Sequence, residues 1–235
     1  MGETLKLMST LAVEMAFKTW LLPAWRESGR QIKVEWSPTT VLMENIEAGR
    51  RADVVVLIDG PMAKLASAGI VQTQSVTPIA TAGFGLGARA GTALPDISTP
   101  EKFKAALLDA RSIVYSRAGA SGIYFAKVAE KLGIADEINA KSIIIPAGFT
   151  GEKVISGEAD IAVQQVSELM SVEGVAVIGP FPAELQVTTD FSAAIFADAQ
   201  NPELAQVFLA HLTSSEAHEA YSNGGLVARF APATV

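Results

Sequence analysis

The run Ala52-Asp-Val-Val-Val-Leu-Ile58 is almost unbroken in apolar residues, and it follows a helical pattern, Val41–Ala48, that stops at Gly49. A strand with one wet face alternates polar and apolar positions. A strand that is apolar throughout is buried on both faces, as in a parallel sheet covered by helices. Parallel neighbours need a crossover, which is right-handed and usually a helix, so this one stretch restricts the chain to α/β architectures. The flanking segments agree. Thr4–Ser9 reads as a first strand and Gln31–Trp36 as a half-exposed one, with a helical pattern carrying Leu11, Met15 and Leu22 between them that kinks or restarts at Pro23. Asp59-Gly-Pro61 opens a further helix, Met62–Ser67. In such sheets ligands sit outside the carboxyl ends of the strands. Those ends carry Ser9, Thr10, Ser37, Thr39, Thr40 and Ile58. Thr10 and Thr39 also suit helix N-caps, so a purely structural use of either hydroxyl stays open.

Residues 111–133 repeat the unit in sharper form. Ser112–Ser116 reads as a short buried strand, Arg117-Ala-Gly-Ala-Ser-Gly122 as a turn, and the residues up to Leu132 as an amphipathic helix stopped by Gly133. Arg117 is the only bulky side chain in the turn, and a helix start offers unpaired N–H groups and the positive end of a dipole, which suits an anion. Close packing of a strand-to-helix turn explains the small residues equally well. Around this unit lie helix Pro100–Leu108 with Thr99 as cap, strand Lys141–Pro146, and the loop Ala147-Gly-Phe-Thr-Gly151. Helix Glu152–Ser156, strand Asp160–Gln164, helix Ser167–Ser171 and a buried strand Val175–Ile178 follow. Ile46–Val56 and Val154–Val163 share one order: helix end, glycine, Ala-Asp, buried strand.

Residues 77–90 are small, glycine-rich and extended, and read as a hinge or edge strand crossing between lobes. Gly83, Gly85 and Gly87 do not match the dinucleotide fingerprint, so no cofactor is expected there or elsewhere. Thr189–Ala197 reads as an extended return, followed by helices Pro202–Leu212 and Ser215–Ser222 capped by Asn201 and Ser214 or Ser215. The expected division is residues 1–82 with 187–235 in one lobe and 83–186 in the other.

A net charge of -7 without a basic run argues against a nucleic-acid partner, though not against a small anion, which feels local dipoles. With no cysteine there is no disulfide, thiol nucleophile or thiolate metal site. His211 and His218 stand seven apart and are expected on a solvated helix face, so no metal site is expected. No apolar run reaches membrane-spanning length. No basic-then-apolar leader is visible, which points to the cytoplasm if Met1 is native and to the periplasm if a leader was removed.

Val41–Val56, Ser121–Gly133 and Gly157–Val163, taken in order, resemble the molybdate-binding proteins of ABC transporters. The resemblance implies an α/β, type II periplasmic-binding-protein fold: two Rossmann-like lobes, a two-stranded hinge, and a small anion held in the cleft between them. It places Thr10 and Thr39 at two serine ligands, Ile58 and Ser121 at backbone N–H donors, and Ala147-Gly148-Phe149 at a further main-chain contact. Ser9, Thr40 and Gly122 adjoin these positions, and Gln165 stands at a tyrosine. It also implies an ABC permease as partner, and a monomer is expected. Several residues depart from that family's pattern. Gln165 and Arg117 suit a planar carboxylate better than a tetrahedral oxyanion, so an organic acid is the expected ligand. The chain is also similar to the aconitate-isomerase branch of the same group, which gives the alternative of an enzyme shifting a C=C bond. Such an enzyme needs a base, and none is plain. Glu152, Lys153, Tyr115 and Asp59 are the nearest candidates.

Overall fold

Three parallel strands begin the fold. In the computed structural model, which describes residues 4–231, β1 (Thr4–Ser9) lies between β2 (Gln31–Trp36) and β3 (Val54–Ile58). The crossover from β1 to β2 is a continuous helical run: a 3-10 turn Leu11–Val13, α1 (Glu14–Ala16), a π turn Phe17–Leu21 and α2 (Leu22–Glu27). The run continues past Pro23. Proline has no N–H to give, and it falls just after Leu22 N–H bonds back to Phe17 O, where the ladder is already widened. Next come α3 (Thr39–Glu47), α4 (Asp59–Ser67) and the long β4 (Thr77–Arg89).

The remaining elements are α5 (Pro100–Asp109), β5 (Ile113–Ser116), α6 (Ala120–Lys131), α7 (Ala135–Ala140), β6 (Ser142–Ile145), α8 (Gly151–Ile155), β7 (Ile161–Gln165), α9 (Val166–Met170) and β8 (Val175–Pro180). The chain then closes with β9 (Thr188–Ile195), α10 (Pro202–His211), α11 (Ser215–Asn223) and the short β10 (Val227–Ala228). Two units divide it: one takes the chain up to Thr81 and again from Thr189, and the other is Ala82–Thr188. In the first unit β9 runs antiparallel to β3. In the second, β5 lies between β6 and β7, parallel to both, and β4 pairs antiparallel with β7 and β8.

Alternate residues of the parallel strands fill cores on opposite faces. In the second unit Ile113, Tyr115, Ile161 and Val163 pack with Phe103, Phe125 and Phe181, while Val114 and Ala162 pack with Val154 and Leu169. In the first, Met8, Val55 and Leu57 pack with Leu42, Ile46, Met62 and Phe196. Burying each large side chain contributes roughly 1.5–3 kcal/mol, which is why both faces of these strands are apolar.

Several expectations change. β4 is paired on both sides in the second unit and is no edge. Its glycines serve close packing: a Cβ on Gly85 would lie 2.8 Å from Gly179 O and 2.9 Å from Val166 Cγ2, and one on Gly87 would lie 2.9 Å from Leu169. β8 is half-exposed along its length, and α7 was not foreseen. His211 is not on a solvated face: its Nε2 lies 2.9 Å from Leu21 O and its ring 5.6 Å from Trp25, while the His218 ring packs 6.0 Å from Phe230. Thr99 and Ser214 cap α5 and α11. Asn201 does not cap; its backbone N–H reaches Asp53 Oδ1 at 2.8 Å.

The repeated Ala-Asp has one mechanical use in both units. Asp53 Oδ2 accepts the Lys6 N–H at 2.8 Å, and Asp160 Oδ2 accepts the Arg111 N–H at 3.0 Å. Each aspartate thus ties its own strand to the neighbouring parallel strand, at the end away from the carboxyl ends of the strands.

Candidate functional site

In the first unit Ser9 stands beside Trp36 and Val56 in the parallel ladders, so the carboxyl ends of three strands meet at one rim. Thr10 N–H donates to Val56 O at 3.2 Å and Ser37 N–H to Ser9 O at 3.1 Å, which fixes both turns. Neither Thr10 nor Thr39 caps a helix with its side chain. Thr10 has extended backbone and makes no side-chain cap bond, and Pro38, not Thr39, is the N-cap of α3. Thr39 lies in the first turn, 6% exposed, with a buried Oγ1 that has no hydrogen-bond partner. Buried polar atoms are nearly always satisfied, and leaving one unmet costs about 1–3 kcal/mol. Ser9 Oγ is turned onto Thr10 O at 3.3 Å, Thr40 is exposed, and Ile58 precedes α4 in extended conformation.

The second unit builds a matching rim. β5 and β6 end together, with Arg117 N–H on Ile145 O at 2.8 Å and Ala118 N–H on Pro146 O at 3.3 Å. This sets the Arg117–Gly122 turn beside the Ala147–Phe149 loop. Gly122 is sterically required: a Cβ there would lie 1.9 Å from the Ser116 carbonyl oxygen. Ser121 is buried at the start of α6, a helix long enough to carry a useful dipole. The Arg117 side chain is exposed and pairs with no carboxylate among the described residues. Next to it a cavity of about 220 Å³ is lined by Tyr115, Ser116, Gly122, Ile123 and Ile144.

β7 ends on this rim with Gln165. Glu168 Oε2 takes the Gln165 N–H at 3.2 Å. The Gln165 side chain approaches the Glu168 N–H as the other half of a capping box would, but without hydrogen-bond geometry, so its Oε1 stays buried and unpartnered. Gln164, which the sequence reading passed over, holds the adjoining loop. Its Oε1 accepts from Thr150 N and Oγ1, both at 2.8 Å, and its Nε2 donates to Gly148 O at 3.0 Å. A larger cavity of this unit, about 670 Å³, lies at the opposite ends of β5 and β7 around Arg111 and Asp160. Those two groups are closed on each other by a two-point ion pair, so size alone does not make it the binding site.

The four candidate bases fare poorly. Asp59 accepts from Ser192 Oγ at 2.6 Å and from Arg229 Nη1 at 2.8 Å. Lys153 is held by Glu158 at 3.0 Å, and Glu152 is exposed on the short α8. Burial pushes the Tyr115 phenol above its ordinary range, against the pull of Arg117, and its ring packs on Phe125. A neutral phenol donates protons and does not take them.

The structure offers a carboxylate that the sequence reading overlooked. Glu14 lies one turn beyond Thr10, 5% exposed, with one oxygen paired to Lys18 and Oε2 buried without a partner. The available signal was a lone acid inside the otherwise apolar run Leu11–Phe17. Among the described residues no cluster of three or more metal-ligating side chains occurs, and no helix is long and apolar enough to cross a membrane.

A family model described as bacterial extracellular solute-binding protein matches residues 23–227. An aconitate isomerase from a Pseudomonas species is 34% identical over 176 residues, covering 74% of this chain and 67% of that protein. Among solved structures, the periplasmic molybdate-binding protein of Azotobacter vinelandii matches with a TM-score of 0.76 at 17% identity, over 95% of this chain and 98% of that one. The sulfate-binding protein SubI of Mycobacterium tuberculosis matches with a TM-score of 0.74 at 16% identity, over 95% and 86%. At those identities the likeness establishes the fold, the α/β fold of type II periplasmic binding proteins.

Proposed function

The chain belongs to the bacterial extracellular solute-binding protein family, and from that premise we propose that its solute is a small organic acid with more than one carboxylate. The observation that carries this reading is Arg117, an exposed guanidinium without a carboxylate partner, set in the small-residue turn before α6. A guanidinium matches a carboxylate with two parallel hydrogen bonds. Gln165 of the same unit has a buried Oε1 without a partner, and in the first unit Thr39 Oγ1 is likewise buried without one; each is a polar group of the kind a carboxylate or a hydroxyl would use. A transport role would add a permease as partner.

Thermal-shift measurements against molybdate, sulfate and a panel of di- and tricarboxylates test the proposal, because a ligand bound only by the folded state raises the melting temperature. Tricarboxylates are expected to give the largest shift. A shift with molybdate or sulfate alone would overturn the carboxylate assignment.

One observation favours a second reading. The curated relative at 34% identity is an aconitate isomerase, so the chain is also a candidate for shifting the double bond of a bound tricarboxylate. Chromatography of cis-aconitate incubated with the protein checks this: formation of the trans isomer supports it, and unchanged substrate at high protein concentration refutes it.

A further inference from the structure

We infer that Glu14 is the proton-transfer group of a 1,3-shift on an unsaturated tricarboxylate; the inference rests on the isomerase reading. Glu14 is placed by the rim itself. The helical run that contains it starts directly from Thr10, and its ion-pair partner Lys18 sits 5.8 Å from the centre of the Trp36 ring. Trp36 ends β2 and pairs with Ser9, and Thr39 follows three residues later. Glu14 therefore stands one helical turn beyond the hydroxyl-bearing turn at Ser9 and Thr10.

Its environment is unlike that of a structural surface pair. Lys18 is 57% exposed at the side chain and Glu14 7%, so the salt bridge reaches solvent only from the lysine side. An i,i+4 pair that serves stability alone can stay wholly exposed and costs no desolvation. Here one carboxylate oxygen is tied by Lys18, which fixes the group and offsets its charge. Oε2 remains buried, without a hydrogen-bond partner among the described residues. The other acids and bases near either rim are engaged by neighbours, exposed, or held as a neutral phenol.

The step balances without a co-reactant. Glu14 Oε2 takes a proton from the methylene carbon beside one ligand carboxylate, and the C–H electron pair forms a double bond to the central carbon. The original C=C pair then takes a proton at its far carbon from the Glu14 carboxylic acid, which returns to carboxylate. One proton leaves and one is restored, and the charge that develops spreads into the ligand carboxylates, where positioned donors stabilise it.

The test compares the whole protein with Glu14→Gln, using cis-aconitate as probe. Three quantities are read: isomer interconversion by chromatography, deuterium incorporation from D2O into the ligand's carbon-bound hydrogens by NMR, and affinity by titration calorimetry. The account predicts that Glu14→Gln loses turnover and deuterium incorporation by about a hundredfold or more, with affinity within roughly threefold. A structural role alone would shift the melting temperature and leave the incorporation rate per folded molecule unchanged. If Glu14→Gln fails to fold, Glu14→Asp carries the test: it keeps the charge but draws the oxygens back, so turnover is expected to fall at least about tenfold. Exchange and turnover at the wild-type rate in the soluble variant would overturn the inference while leaving the isomerase reading standing. Wild-type protein that binds the tricarboxylate but neither exchanges nor isomerises it would overturn both.

Discussion

The two units set the same aspartate at the start of the same kind of strand, and they surround it differently. Asp53 is 1% exposed and is held by neutral donors: the Lys6 and Asn201 backbone N–H groups at 2.8 Å and the Asn201 amide at 3.4 Å. Asp160 is partly exposed and is gripped by the Arg111 guanidinium, at 3.0 Å from Nε and 2.6 Å from Nη2. The rims differ in the reverse sense. The first unit's rim is built from hydroxyls, with the buried Glu14 one turn beyond it, whereas the second unit's rim carries an arginine with no carboxylate partner among the described residues. The lesson is that one β–turn–α unit, used twice, fixes where donors point, while the choice of side chain decides what charge they meet.

The comparison breaks most visibly at the rim glycines. Gly122 and Gly60 both lie in the first turn of a rim helix, but a Cβ on Gly60 meets nothing within 4 Å. Gly122→Ala is expected to cost about 3 kcal/mol or more, because the Ser116 backbone has to move. Gly60→Ala is expected to be neutral or stabilising by up to about 1 kcal/mol. Chemical denaturation of both variants checks this, and equal effects would show that the two turns are built alike.

Asp53→Ala should come next, at about 2–3 kcal/mol, since it strands backbone N–H groups that the fold has buried. Arg117→Met is expected to weaken tricarboxylate binding about tenfold to a hundredfold in titration calorimetry, the worth of a charge-assisted hydrogen bond. Thr39→Ala is expected to weaken it several-fold while the melting temperature of the ligand-free protein stays level or rises. Its hydroxyl caps nothing and is buried without a partner.

The smallest effect belongs to Asp160→Asn, and it depends on pH. The Arg111 side chain, then its backbone N–H, hold the Asp160 carboxyl below the usual range, against desolvation. A carboxyl depressed in the folded state contributes stability that is complete above its unfolded value, near pH 4. That contribution disappears as pH falls through the lower folded value, so wild type and variant should differ near neutrality and converge in acid. Because Arg111 is largely exposed, added salt should also narrow the gap.

Much of this was legible in the residues. The apolar run ending at Ile58, the small-residue turn at Arg117–Gly122 and the shared Ala-Asp gave the parallel strands and the rims. What stayed hidden depends on distant partners. Gly83, Gly85 and Gly87 look like freedom in a sequence, yet Gly85 and Gly87 leave room for β8 and α9 packed on β4. Thr39 looks like a cap, but Pro38 takes that place. Glu14 disappears into an apolar helical run because periodicity reports which face is buried and not which atom lacks a partner. Gln164 and Gln165 are neighbours of one type, and only the loop around Thr150 separates a brace from an unpaired amide.

The most direct test is diffraction from crystals of the protein grown with a tricarboxylate. The account predicts a ligand with a carboxylate on the Arg117 guanidinium. A ligand that leaves the Arg117 guanidinium untouched, or density confined to the cavity around Arg111 and Asp160, would contradict it.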